Sequence, residues 1–503
     1  MQRSFAALES TKFDVLVIGG GITGAGIARD AAMRGLKVAI VDKGDWGSGT
    51  SSRSSRLIHG GIRYLERGQV GLVRESVRER ETLLRIAPHL VKPLEFTWPV
   101  YRGARLPKWK LRAGLTAYDM LAGVGRLRRH DSLDVQGVLT NEPDLRKDSL
   151  VGGVSYYDAS TDDSRITLAN VQSAVSHGAV AVNYARISGL TGPAASTGAI
   201  ARDQLSDAEL HVYARAVISA TGPWQARGTK GTHIAVPRHR IANRSAVTLI
   251  SPVDGRVMFV IPSGDQAIVG TTDTFTIENP DQVRASEADI DYLLASANGY
   301  FPDARLTRDD VVAAWAGIRP LAAAKAGTNP SSISREHHIE RTGKGRIAVS
   351  GGKLTTYRAM AAEAVDCLFD ELGMKSPACR TADEEVPGRD RNERRATIEA
   401  ADPRLARSIV QGLPYTGSDI ALAALDEMAV TLADVMVRRT HIAFELSDHG
   451  LSAARSVATV MGEALRWGDK RTQSRIDEYP AEVERLFGRS AIGRLSGRWH
   501  HVS

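Results

Sequence analysis

FDVLVIGGGITGAGIARDAAMRGLKVAIVDKGD, residues 13–45, reads as strand, glycine-rich turn, helix and second strand. Residues 13–18 and 37–41 are short apolar, β-branched runs of the kind that fill a strand buried on both faces. Between them Gly19, Gly21 and Gly24 form a GxGxxG pattern that opens an alanine-rich helix. The first glycine allows a tight turn, the second lets a pyrophosphate approach the backbone, and the third lets the helix lie close to the sheet. Asp42 ends the second strand, where a carboxylate can accept hydrogen bonds from an adenosine ribose. Ile22 and Thr23 between the glycines, and Lys43 beside Asp42, complete the expected contact set. A glycine-rich βαβ unit without a ligand would share the glycines; strand, helix and acidic residue together favour dinucleotide binding.

Downstream, TSSRSSRLIHGGIRYLE (50–66) crowds hydroxyl side chains, arginines and a Gly-Gly bend into one loop. The motif's place at the N-terminus and this Ser/Thr-rich continuation favour FAD over NAD, since a resident flavin must be surrounded. Two later segments have the same character. ARAVISATGPW (214–224) is a strand running into a turn, where Ala220 and Gly222 let the backbone pass close to a ligand. GRIAVSGGKLTTYRAMAAEAVDCLFDEL (345–372) is strand, Gly-Gly turn and helix, and its Met360, Ala364, Cys367, Leu368 and Leu372 have the spacing of a core face. The start of that helix, with Gly351, Gly352, Lys353, Leu354 and Thr355, offers backbone N–H groups and a positive dipole end to an electron-rich ring.

A chain of 503 residues supports two or three domains, and 43% apolar with 24% charged residues is ordinary for a globular protein. With 65 basic and 58 acidic residues the net charge is +7, which suits acidic substrates or an anionic surface and does not point to nucleic acid. Cys367 and Cys379 form no CxxC pattern and have no histidine cluster nearby, so two reduced thiols and no metal site are expected, in keeping with a cytoplasmic compartment. The N-terminus lacks a signal-peptide core, and no run of about eighteen apolar residues occurs. Beyond about residue 383 the chain is charged, alanine-rich and helical in period.

GGGITGAGIARDAAMRGL, TSSRSSRLIHGGIRYLE, ATGPW, IVGTTDT, WAGIRPL and SGGKLTTYR, in this order, resemble the FAD-dependent glycerol-3-phosphate dehydrogenase family, from about residue 12 to 372 and more loosely beyond. The first motif is common to many flavoproteins; HGGIRYLE with GGKLTTYR is far more specific. The resemblance implies oxidation of sn-glycerol 3-phosphate to dihydroxyacetone phosphate, with electrons passing through FAD to a membrane quinone. It implies an α/β glutathione-reductase-type, Rossmann-like FAD domain (12–85, 150–235 and 335–380). An antiparallel-sheet substrate domain (86–149 and 236–334) and a C-terminal helical domain (383–503) complete the fold. It assigns Thr50, Ser51, Ser52 and Ser54 to the cofactor, with His59, Gly60 and Gly61 turning the chain so that Arg63 and Tyr64 face the substrate. A homodimer is left open.

A phosphorylated alcohol needs a cationic clamp, and arginine's fork matches two phosphate oxygens. Arg63, Arg319, Arg335 and Lys353 match the family's positions for this pocket. For the base that takes the hydroxyl proton the matching residue is His233, with Arg319 or Lys353 as alternatives; a histidine that only hydrogen-bonds within the fold is the competing reading. Ser263, where many members carry an aromatic residue, leaves one wall of the pocket undefined. Two other acceptors or substrates keep the glycine motif: an oxidase using O₂, and a flavin amine or amino-acid oxidase, which has no use for several phosphate-binding cations.

VYRGARLPKWKLRAGLTAYDMLAGVGRLRRH (100–130) places Arg102, Arg105, Lys108, Lys110 and Arg112 around Trp109, followed by Leu115, Tyr118, Met120 and Leu121 and then Arg126, Arg128 and Arg129. An indole flanked by cations suits a lipid headgroup layer. Peripheral attachment to an anionic lipid surface, at the inner face of the cell membrane, is expected; a solvated basic face is the alternative.

Overall fold

The computed structural model describes residues 1–123, 125, 127–191, 197–224, 228–320 and 336–488. Lys12–Ile18 lies at the centre of an eight-stranded sheet, paired in parallel with Val38–Val41 on one side and Glu209–Ser219 on the other. Val180–Val182 extends the parallel order beyond Val38–Val41, and Arg346–Gly351 extends it beyond Glu209–Ser219. The helices Ile22–Met33 and Tyr357–Glu371 share one apolar core with these strands, so the two glycine-turn units read from the sequence sit in the same sheet. Val38–Val41 is buried at every position, as a strand covered on both faces must be. Glu209–Ser219 alternates buried and exposed residues over its first half, where it meets the hairpin strand Thr197–Asp203, and is buried where parallel neighbours flank it.

Among the described residues a second sheet has ten strands and is antiparallel except where Ala246–Ile250 meets Val91–Tyr101. Two segments assigned to the flavin unit from sequence, Leu150–Thr161 and most of Gly228–Pro237, are strands of this second sheet. Leu150–Thr161 pairs along its length with Val91–Tyr101, and Gly228–Pro237 with Ala313–Pro320 and Gln266–Gly270. Long-range hydrogen-bond pairing, which no local pattern announces, decided where these strands went.

The C-terminal region is helical, with Arg391–Ala401, Gly417–Asp426, Ala454–Leu465 and Asp469–Phe487 joined by shorter turns. It shares a continuous hydrophobic core with the second sheet, in which Phe444 meets Trp315 and Phe487 edge-on at 5.1 and 5.3 Å. Polar contacts tie it to the first sheet as well. Asp45, in the loop after Val38–Val41, is fully buried between Arg438 and Arg439, and Arg165 forks onto Glu427 with both bonds at 2.7 Å. Cys367 and Cys379 are free thiols. No helix among the described residues is long and apolar enough to cross a membrane.

Candidate active site

A cavity of about 490 Å³ takes its walls from both sheets. At one end stand the glycine-rich turn and Asp42. Gly19 has φ +111°, and a β-carbon there would stand 2.5 Å from the Ala220 carbonyl oxygen, so the two strand ends meet only because this residue is glycine. A β-carbon at Gly24 would overlap the Gly19 carbonyl oxygen. At Gly21 the surroundings are open: among the described residues a β-carbon would meet within 4 Å only the Ser51 hydroxyl, at 3.2 Å. The backbone there is left accessible for a ligand rather than for packing. The Ile22 N–H, at the start of the helix, donates to Ser51 Oγ at 2.9 Å. Asp42 accepts the N–H groups of Gly20 and Gly44 at 2.6 and 2.8 Å; burial still pushes its carboxyl up to about 6, and the charge of Asp45 adds to the rise.

Arg63, Tyr64, Lys353 and Arg319 also line the cavity. Lys353 Nζ sits 4.0 Å from the centre of the Tyr64 ring and 3.3 Å from Ser76 Oγ, and the Arg63 guanidinium lies 5.2 Å from the same ring. Gly61, at φ +76°, makes the bend that brings Tyr64 back beneath the turn. Arg319 forms an ion pair with Asp273 at 3.1 Å and donates to Thr272 O and Thr271 Oγ1. His233 is 2% exposed, stacks on Trp315 at 5.5 Å and shares a 2.8 Å hydrogen bond between Nε2 and Ser55 Oγ. Burial, with Arg319 and Arg56 nearby, pushes its imidazole down to about 3, so it is neutral near pH 7.

Of the residues singled out from sequence, Ile22, Thr23, Lys43, Thr50, Ser51, Ser54, His59, Gly61, Ala220, Gly222, Gly352, Leu354 and Thr355 also line the cavity. Three do not. Ser52 is buried, with its hydroxyl 3.5 Å from the Gly49 carbonyl; Gly60 donates its N–H to Asp158; Gly24 packs on Gly19. Ser54 reaches the wall, but its hydroxyl donates to Asp163 at 2.6 Å. Arg335 lies outside the described residues. The sequence reading missed Arg53, Ser55 and Thr271, all on the wall. Ser55 stood inside the hydroxyl-rich loop, and its role became visible only with the direction of its side chain.

These residues fit FAD. The cradle left at Gly21, the helix start at Ile22, the acidic residue at the end of the second strand and a second helix start at Leu354 are the contacts a dinucleotide carrying a flavin ring requires. When bound, FAD supplies an acceptor for a hydride.

A family model described as FAD dependent oxidoreductase matches residues 14–358, and one described as C-terminal domain of alpha-glycerophosphate oxidase matches residues 390–472. The chain is 36% identical to a glycerol-3-phosphate dehydrogenase of Synechocystis sp., over 96% of this chain and 98% of that one. It is 39% identical to an aerobic glycerol-3-phosphate dehydrogenase of Staphylococcus saprophyticus, over 76% and 72%. Among solved structures it resembles the glycerol-3-phosphate dehydrogenase from Bacillus halodurans complexed with FAD, with TM-score 0.74 and 29% identity over 96% of each chain.

Proposed function

The chain belongs to the FAD-dependent oxidoreductases and, within them, to the FAD-dependent glycerol-3-phosphate dehydrogenase family; from that premise we propose that it oxidises sn-glycerol 3-phosphate to dihydroxyacetone phosphate and passes the electrons to a membrane quinone. The observation that supports the substrate reading is that Arg63, Arg319 and Lys353 all line the cavity, Arg63 and Lys353 against the same tyrosine ring. A phosphate dianion there is held by charge-assisted bonds. Tyr64, against which Arg63 and Lys353 both lie, fixes the spacing of the two cations.

The alcohol gives up a proton from oxygen and a hydride from carbon. His233 is neutral at working pH, and its Nε2 is the atom that receives the proton, either directly or through the Ser55 hydroxyl already bonded to it. Its low basicity arises from burial and from the charges of Arg319 and Arg56, and a phosphate dianion entering beside Arg319 offsets that repulsion. Substrate binding thus raises the basicity of the group that must accept the proton. Arg335, outside the described residues, is proposed as a further phosphate contact. The FAD, substrate and C-terminal units are proposed as functional divisions of the chain, with the two sheets meeting at the cavity.

Peripheral attachment rests on the helix Lys108–Ala122. Trp109 is 67% exposed and Met120 77%, and they stand eleven residues apart, three helical turns, on one face with the exposed Arg112. Leu115 and Tyr118, read from sequence as part of the lipid-facing stretch, point instead into the protein, and Lys108 donates to the Leu133 carbonyl at 2.6 Å. The lipid contact is therefore narrower than the sequence suggested: Trp109, Met120, and the exposed Arg102, Arg105, Lys110 and Arg112.

The match of residues 390–472 to the C-terminal domain of an oxidase keeps dioxygen as the second acceptor. Steady-state turnover of sn-glycerol 3-phosphate with a soluble quinone analogue under argon, against turnover in air without quinone, separates the two. Fast dihydroxyacetone phosphate formation with quinone and little peroxide in air is expected; stoichiometric peroxide would move the assignment to an oxidase.

A further inference from the structure

A second cavity, of about 610 Å³, adjoins the first on the side of the C-terminal helices, and the two share Lys43, Ser48, Arg53, Arg186 and Trp224 in their walls. Its cations are almost all neutralised. Lys43 pairs with Asp281 at 2.6 Å, Arg438 with Asp45 at 2.7 Å, Arg475 with Glu478 at 2.5 Å and Arg485 with Glu482 at 2.7 Å, while Arg186 is exposed to solvent. Arg53 is different. It is 7% exposed, its Nε is buried without a hydrogen-bond partner, and its one side-chain hydrogen bond among the described residues runs from Nη2 to the Ser48 carbonyl at 3.4 Å. No carboxylate stands within ion-pair distance of it among those residues; its charged neighbours are two further arginines, Arg485 and Arg438, and, more weakly felt, the carboxylates Glu482 and Asp281, which are themselves paired with Arg485 and Lys43.

Burying a guanidinium without an anion is costly, and natural folds rarely leave one so. Burial first, and then the two neighbouring arginines, push this one down to about 9 against the opposing pull of Glu482 and Asp281. Its backbone is nevertheless held firmly. The Arg53 N–H closes the turn Thr50–Ser52 at 3.0 Å, Thr50 Oγ1 donates to Ile318 O at 2.6 Å, and Gly317 leaves room for the Arg53 main chain, since a β-carbon there would stand 3.2 Å from it. Two residues earlier, Ser51 accepts the first N–H of the glycine-rich helix. A fixed cation with no ion pair among the described residues thus stands in the wall common to the two cavities, beside the turn where a phosphate is expected.

We propose that Arg53 is a phosphate-binding residue, its partner being either the diphosphate of bound FAD or the phosphate of a small molecule in the second cavity. A planar fork with free donors matches paired phosphate oxygens, and the carboxylates of the second cavity are engaged by its other cations. The inference rests on cofactor binding and not on the substrate reading, so failure of sn-glycerol 3-phosphate to reduce the flavin leaves it standing.

The test uses the purified holoenzyme and Arg53→Met, which keeps the length of the side chain without its charge. Two quantities are read: the FAD dissociation constant, from flavin fluorescence on serial dilution, and the shift in melting temperature on adding inorganic pyrophosphate at constant ionic strength. If FAD is the partner, Arg53→Met weakens FAD binding at least ten-fold. If the second cavity holds the partner, FAD affinity stays at the parent value, the parent melts higher with pyrophosphate and the variant does not. Equal FAD affinity together with an equal pyrophosphate response, including no response in either protein, overturns the proposal. Should Arg53→Met fail to fold, Arg53→Gln is read by the same two measurements.

Discussion

At Gly21 packing among the described residues sets no strict requirement for glycine, which separates it from its neighbours and leaves the proposed pyrophosphate contact as the reason for it. A β-carbon at Gly19 or Gly24 runs into backbone, whereas at Gly21 it meets one hydroxyl. Gly21→Val is therefore expected to purify folded but colourless; a folded variant as yellow as the parent would remove the N-terminal turn from the cofactor site. Arg63→Ala should cost about 1.5–3 kcal/mol of phosphate binding, roughly a ten- to hundred-fold rise in KM for sn-glycerol 3-phosphate, with little change for unphosphorylated glycerol. Equal losses on both substrates would contradict the phosphate role. His233 has a folded value of about 3 against an ordinary 6.5, so the folded state takes up fewer protons than the unfolded chain between those values. The stability this contributes is complete above pH 6.5 and is lost as the pH falls toward 3; His233→Gln should flatten that part of the stability profile, measured by urea midpoints. The glycines and Asp42 were legible because each is a residue type that one chemistry demands at one spacing, whereas Arg63 and Lys353 were named from the family resemblance, and both line the cavity. Ser54 and Ser55 were not legible: neighbours in an irregular loop, one turns to Asp163 and the other to His233, and loop side chains have no period from which direction can be read.

Between elements, the loop after Val38–Val41 is held from the far end of the chain. Asp45 is fully buried and accepts from Arg438 at 2.7 Å and from Arg439 at 2.9 Å at each oxygen. Removing one side of such a cluster leaves buried charge uncompensated, so Asp45→Asn should cost about 3–5 kcal/mol, seen as a lower urea midpoint with an unchanged slope. A loss below 1 kcal/mol would mean that the cluster is solvated. Glu427 behaves similarly toward acid. Although burial opposes it, Arg165 and its neighbours hold the carboxyl down to about 2, so its contribution is present above about pH 4.5 and fades as the pH falls toward 2. The parallel strands around the glycine motif were readable because burial on both faces leaves continuous apolar runs. Leu150–Thr161 was not, because its membership of the second sheet depends on pairing with Val91–Tyr101, whose partner residues lie 49 (Tyr101 with Leu150) to 70 (Val91 with Thr161) positions away. The pairing of Asp45 with Arg438 and Arg439 spans nearly 400 residues and leaves no local trace.

Across the whole molecule, the cavity, lined by the glycine turn and by cations, lies between two sheets, and the exposed face of the helix Lys108–Ala122 offers an indole, a thioether and arginine to the surroundings. Charge reversal at Arg102, Arg105, Lys110 and Arg112 should release the protein from anionic liposomes while reduction of a soluble dye continues, each cation near such a surface being worth about 1 kcal/mol. Liposome binding that survives the reversal would place attachment elsewhere. That the chain oxidises a phosphorylated alcohol is tested most directly by adding sn-glycerol 3-phosphate, and separately glycerol, to the oxidised holoenzyme without oxygen or any other acceptor. The account predicts prompt, stoichiometric bleaching of the yellow flavin by the phosphate ester and almost none by glycerol at the same concentration. A flavin that stays yellow with sn-glycerol 3-phosphate, or that bleaches equally with both, would contradict it.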